Sequence, residues 1–304
     1  MRNAFLILIF SAISGIGPGA QGSEFQTEYE LSGGLQTPRY AQTRTTALQL
    51  AEISDQITYT TFGRSPQGRD LMLLIADRDG ASSPSDVRAS GRAVLMIQAC
   101  IHAGESDGKD AGLMLLRDIA THKLAPSLLD NVTILFLPIF NVDGHEHFGP
   151  LNRPNQNGPL EMGFRVTANN LNLNRDFVKA DAPEMQAWLD LYSAWMPDFL
   201  IDAHVSDGAD FQYTLMYDMP VRGNMEAGLS LVTPGCLSQG SAVISHQAGP
   251  AAHALWRFSA LARPPQRYQC LDQWSTLHPW LHGCSKPPRP AARNSCPERL
   301  RHPG

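Results

Sequence analysis

Cysteine is scarce in this chain and unevenly placed. Of five cysteines, Cys100 is the only one before position 236. An odd count gathered at one end makes a poor disulfide framework. Cys100 closes the apolar run "AVLMIQA", so it is read as a thiol packed at a strand end. Past the amino terminus no apolar run reaches the roughly 18 residues that a membrane-spanning helix needs, which argues against a membrane span. A basic excess is also missing: the net charge of -5 argues against a nucleic-acid partner, whose phosphates call for a positive footprint. Acidic residues in turn are nearly absent from positions 221–304, where three stand against nine basic ones. The first 220 residues hold 26 acidic and 15 basic, so charges of -11 and +6 make up the total.

What remains is ordinary globular composition, 43% hydrophobic and 17% charged over 304 residues, enough for one large core or two smaller ones. The first 22 residues stand apart. Arg2 precedes an apolar stretch from Ala4 to about Ile16, and Ala20 and Gly22 hold the small-residue spacing of a cleavage site before Ser23. That is the layout of a secretory signal peptide, with export to a secreted or periplasmic location. Residues 23–45 are read as an exposed, polar lead-in.

Within 46–220 the pattern alternates. "TTALQLAEISDQI" carries apolar residues at helical spacing. "ITYTTFGRSPQGRDLMLLIAD" reads as two strands around a turn. "RAVLMIQA" and "NVTILFLPIFN" are short continuous apolar runs, as in strands buried on both faces, and "DGKDAGLMLLRDIATHKL" between them reads as a helix. "APEMQAWLDLYSAWM" is a helix with Pro183 in its first turn, followed by the strands "DFLIDAHV" and "FQYTLMYD". Strands alternating with helices predict an α/β fold, a mostly parallel mixed sheet with helices on both faces. The segment from Val142 to about Lys179 is long and irregular, and such loops are usually functional. After about position 220 neither period is found. The stretch 221–304 holds ten of the 22 prolines, and two readings stay open: a loop-rich end or second domain, or a non-native tail such as a shifted reading frame produces.

In α/β sheets ligands gather past the carboxyl ends of the strands. His102 and Glu105 follow "AVLMIQACI", and His204 ends "DFLIDAH". Neighbouring strands would bring all three together, a donor set that suits Zn²⁺ with one position left open. Alone, a His and a Glu three apart are a weak signal. Asn174 and Arg175 in "NLNLNRDF" add a neutral donor and a planar fork that can pair with a carboxylate; the lesser alternative for Arg175 is a bridge to Asp176 or Asp181. Arg153 lies on the same long loop, either as a site residue or as a solvated charge.

Read in order, "GRSPQGRDLMLLI", "HAGE", "PIFNVDGHEHF", "NLNRDF" and "DAH" resemble the zinc carboxypeptidase (M14 metallopeptidase) family, over about Ala47 to Asp218. The resemblance implies His102, Glu105 and His204 as Zn²⁺ ligands. It implies Asn174 and Arg175 as the clamp for a peptide substrate's free C-terminal carboxylate, and Arg153 as the group that polarises the scissile carbonyl. Two departures stand out. Where the family often has an acidic residue bracing a ligand imidazole, this chain has Asn172, whose amide oxygen could accept instead; Asp202, on the strand face of His204, is either a substitute brace or an unrelated charge. The family's general-base Glu has no counterpart, since Glu226, Glu298 and Tyr268 fit none of its context. The expectation is therefore a secreted metallocarboxypeptidase, with impaired turnover from the missing base. The alternatives are a zinc-dependent deacylase or amidase of the same fold, and a non-catalytic zinc-binding or truncated product.

Overall fold

The structure, a computed structural model, describes residues 25–124, 126–209, 215–218 and 254–260. The signal-peptide layout of residues 1–22 and most of 221–304, including all four later cysteines, Glu226, Glu298 and Tyr268, lie outside the described residues.

Strands β1 (Ile57–Arg64) and β2 (Asp70–Ala76) form the antiparallel pair that the "SPQG" turn announces. Ser65 N–H donates to the Arg69 carbonyl across that turn. Strands β3 (Ala93–Gln98), β4 (Val132–Leu137) and β5 (Phe199–Val205) make a parallel centre with β3 in the middle. With β6 (Leu215–Asp218) and β7 (Ala254–Ala260) the order is β1-β2-β4-β3-β5-β7-β6. Three of these six pairings are parallel and three antiparallel, so the sheet is mixed; two of the parallel pairings, β3–β4 and β3–β5, join the strands that alternate with helices. Strand β7 falls within the tail, where the sequence reading placed no element. Its seven residues "ALWRFSA" pair antiparallel with β5 along the whole strand. Arg257 interrupts the apolar run and no turn signal frames it, which is why neither period shows.

Side chains alternate across the sheet, as the two-residue period of a strand demands. Leu95, Ile97, Ile134, Phe136, Ile201 and Ala203 pack on one face, against α2 (Tyr40–Ile53) and α4 (Asp107–Ala120). Val94, Met96, Leu135, Leu137 and Leu200 pack on the other, against α3 (Pro84–Ser90) and α6 (Pro183–Trp195). Helix α3 was not foreseen, although Ser83 caps it, Pro84 opens it and Gly91 ends it in the left-handed conformation.

Helix α4 is buried on nearly every side. Its polar residues are covered by the segment predicted to be an exposed lead-in. Thr37 Oγ1 donates to Asp110 (2.9 Å), Lys109 Nζ donates to the Pro38 carbonyl, and Arg117 donates to the Phe25 carbonyl (3.1 Å) and pairs with Glu30. Polar composition suggested solvent; here the segment supplies hydrogen-bond partners to buried polar groups on α4. A short helix α1 (Glu28–Leu31), closed by a Thr27–Glu30 capping box, anchors that segment.

Candidate metal centre

At the carboxyl end of β3 the chain turns sharply. Cys100 holds a left-handed φ of 55°, and its neighbours are tied to the segment after β4 by Phe140 N–H to Ala99 O (3.0 Å) and Asn141 N–H to Cys100 O (3.1 Å). Burial pushes the Cys100 thiol up to about 12, so it is a packed, unreactive group as expected. Residues 102–105 then form a tight turn, closed by Glu105 N–H donating to the His102 carbonyl at 2.9 Å, and α4 begins only after it. Gly104 is needed for close approach: a Cβ there would meet the Gly163 carbonyl oxygen at 2.6 Å and the Arg153 side chain at 2.9 Å. The long loop after β4, with α5 (Val142–Glu146) at its start, therefore lies directly on the turn.

Strand β5 is the parallel neighbour of β3, and it continues past the Gln98–Asp202 pair that closes β3, as far as Val205. That register delivers His204 to Glu105. His102 Nδ1 lies 3.0 Å from Glu105 Oε1, and His204 Nδ1 lies 2.9 Å from Glu105 Oε2. The ring centroids of the two imidazoles are 4.9 Å apart. His102, Glu105 and His204 are 5%, 2% and 6% exposed. One donor atom from each lies within 4.8 Å of the others. Among the described residues this is the only such group of three metal-binding side chains.

The electrostatics follow from that closeness. Burial works to raise the Glu105 carboxyl, but hydrogen bonds and charge from His102 and His204 win and hold it well below the usual carboxylate range. Burial likewise lowers His204, yet its bonds to Asp202 and Glu105 raise it to about 9. Burial dominates at His102, which is lowered. Both Nδ1 atoms face one ionised carboxylate, and the donor set is His/Glu/His. These residues fit a zinc ion, which takes imidazole nitrogen and carboxylate oxygen in this combination.

Arg153 reaches the centre. Its Nη2 lies 2.9 Å from Glu105 Oε1 and 2.7 Å from Asp207 Oδ1, and the residue is 6% exposed, which rules out a solvated loop charge. Asn174 and Arg175 are differently placed. They sit in a 3-10 turn (Leu173–Arg175), Arg175 is exposed, and its Nη1 donates to the Asn174 carbonyl at 2.7 Å. Among the described residues no ion pair joins Arg175 to Asp176, Asp181 or the triad. Asp176 instead accepts from the Ala182 and Asp181 N–H groups. Asn172 does not brace an imidazole; its Oδ1 accepts from Asn174 N–H at 3.1 Å.

Two charges at the site escaped sequence reading. Arg165, a third exposed, points its Nη1 at Glu105 Oε1 from 3.8 Å, and Asp207 balances Arg153. Neither belongs to a spaced motif. Their only advance sign was a place on loops beside strand ends.

Comparison with known proteins agrees with this geometry. The family model described as zinc carboxypeptidase matches residues 44–205. Carboxypeptidase 2 of Trichophyton rubrum is 28% identical over 160 residues, 51% of this chain and 26% of that protein. Carboxypeptidase 2 of Trichophyton tonsurans matches at the same identity and coverage. The matched segment is thus about a quarter of the length of these curated relatives. Among solved structures, the metallo-carboxypeptidase from Burkholderia cenocepacia superposes with a TM-score of 0.54 at 16% identity, covering 81% of this chain and 67% of that one. Carboxypeptidase A from Helicoverpa armigera gives 0.53 at 16%, covering 81% and 72%. At such identities the likeness is one of fold. The family match, which spans both strand ends and all three buried donors, is the more specific result: the chain belongs to the zinc carboxypeptidase family.

Proposed function

We propose that this chain is a secreted zinc-dependent metallocarboxypeptidase that hydrolyses the last peptide bond of substrates with a free C-terminal carboxylate. The observation that carries the reading is the convergence of His102, Glu105 and His204, buried and within 4.8 Å, at neighbouring strand ends. Secretion rests on the signal-peptide layout of residues 1–22.

His102 Nδ1, Glu105 and His204 Nδ1 would hold the ion, which when bound supplies Lewis acidity to a carbonyl oxygen. The protein's own groups do the rest. Glu105 is ionised across the neutral range and offers charge without first losing a proton. Arg153, buried beside it, presents a guanidinium where negative charge develops on the scissile carbonyl, a contribution of oxyanion-hole type. Asn174 and Arg175 take the terminal carboxylate, with Arg175 exposed and not paired to an acid among the described residues. Proton transfer has no assigned carboxylate among the described residues. The strand paired with β5 reads "ALWRFSA", a sequence without an acidic residue.

That last observation favours a second reading, a zinc-binding protein with little turnover, because a general base contributes roughly 10²–10⁴-fold. One experiment separates the two. Purified protein is assayed for zinc stoichiometry and for release of the last residue from an N-blocked dipeptide, beside the same dipeptide amidated at its C-terminus. One zinc per chain with hydrolysis of the free acid alone supports the carboxypeptidase reading. Equal cleavage of both points to the amidase alternative, zinc without cleavage to the second reading, and no zinc removes both.

A further inference from the structure

The two histidines of the centre are supported differently, and the difference has a consequence for metal binding. His204 Nε2 lies 2.8 Å from Asp202 Oδ2. Both residues stand on one face of β5, two positions apart, with Asp202 7% and His204 6% exposed. A neutral imidazole carries one proton. Donated from Nε2 to Asp202, it leaves the Nδ1 lone pair aimed at the Glu105 side of the centre, where His204 Nδ1 lies 2.9 Å from Glu105 Oε2. Val205 N–H donates to the same Oε2 at 3.1 Å, so strand β5 orients both the imidazole and the carboxylate it meets. Among the described residues His102 has no such support: its Nε2 is buried without a hydrogen-bond partner, and Asn172, at the position that could have supplied an acceptor, accepts from Asn174 N–H.

We infer that Asp202 is the positioning residue of this metal centre: it fixes the tautomer and ring orientation of His204, and zinc affinity depends on it because among the described residues no equivalent acceptor serves His102. Among the described residues the second oxygen of Asp202, Oδ1, is buried without a hydrogen-bond partner, and the carboxylate's side-chain bond is to the ligand imidazole. Burying a carboxylate with so few partners is unfavourable for the fold alone.

The inference rests on the zinc reading above, and its test keeps the two apart. Zinc dissociation constants are measured by chelator competition for the full chain and for Asp202→Ala and Asp202→Asn, with folding followed by circular dichroism and thermal midpoint. Loss of a carboxylate behind a ligand histidine typically weakens metal binding about 10–100-fold. Asp202→Ala should fall in that range, and Asp202→Asn, which keeps an acceptor but not the charge, should fall between it and the wild type. The visible absorption of the cobalt-substituted protein should shift in the same order. A merely structural Asp202 would lower the thermal midpoint while leaving the zinc constant and cobalt spectrum unchanged, and that result overturns the inference. If Asp202→Ala does not fold, Asp202→Asn carries the test, and zinc binding equal to wild type in that variant also overturns it. A wild-type chain without zinc affinity removes the metal reading and this inference with it.

Discussion

The buried triad and the Asn174–Arg175 pair were both read as site residues, yet they are held by different physics. His102 and Glu105 sit in the turn that follows β3 and His204 near the end of β5, and the parallel register of the two strands leaves little freedom in where they meet. Asn174 and Arg175 sit on a loop, half-buried and exposed respectively, joined mainly to their own neighbours. A position inherited from a sheet is set before any ligand arrives, whereas a loop pair acquires its partner from the ligand.

Changes to the triad should give the largest effects. His204→Ala or His102→Ala should weaken zinc binding by more than the roughly 100-fold upper range for a supporting residue, read by chelator competition. Retained zinc in either variant would break the comparison at its stronger side. The sheet support is attacked next by Gly108→Ala. A Cβ at position 108 would collide with the Ala203 Cβ on β5, the strand that carries His204. Overpacking of that kind costs about 1–3 kcal/mol, measured by denaturant unfolding of the metal-free protein.

A pH measurement sharpens the comparison from the triad's side. His204 titrates at about 9 folded against an ordinary 6.5, so its charged form stabilises the metal-free fold fully below 6.5. That contribution is lost as pH rises through about 9. The stability difference between wild type and His204→Gln should therefore shrink between pH 6.5 and 9, and a difference that grows instead would contradict the His204–Asp202–Glu105 geometry. The smallest effect belongs to the loop. Arg175→Ala should change stability by less than about 0.5 kcal/mol, as exposed positions do, and leave zinc affinity untouched. It should still raise the KM for a substrate with a free carboxylate.

Much of this fold was legible because the elements that matter are long and strongly patterned. Strands β3 and β4 are continuous apolar runs buried on both faces, and α6 announced itself with Pro183. Three features were not legible, each for its own reason. The helix α3 is a short element whose caps are its only signal. Strand β7 lies in a proline-rich stretch where Arg257 breaks the apolar pattern. The lead-in looks solvated because its polar groups serve polar groups on α4, and composition does not distinguish bonding to protein from bonding to water. Arg165 and Asp207 were missed because no spacing rule links loop charges to a strand end.

From the sequence alone came the alternation of strands and helices, the strand-end placing of His102, Glu105 and His204, and the family that their order resembles. Only the tertiary structure decided that the three donors meet within 4.8 Å, that Arg153 is buried between two carboxylates, and that Asp202 supports one histidine while the other goes without. The reason is one of range. Periodicity and strand ends are written in neighbouring residues, but which side chain fills the space behind an imidazole depends on sheet register and loop packing, which join positions about a hundred residues apart.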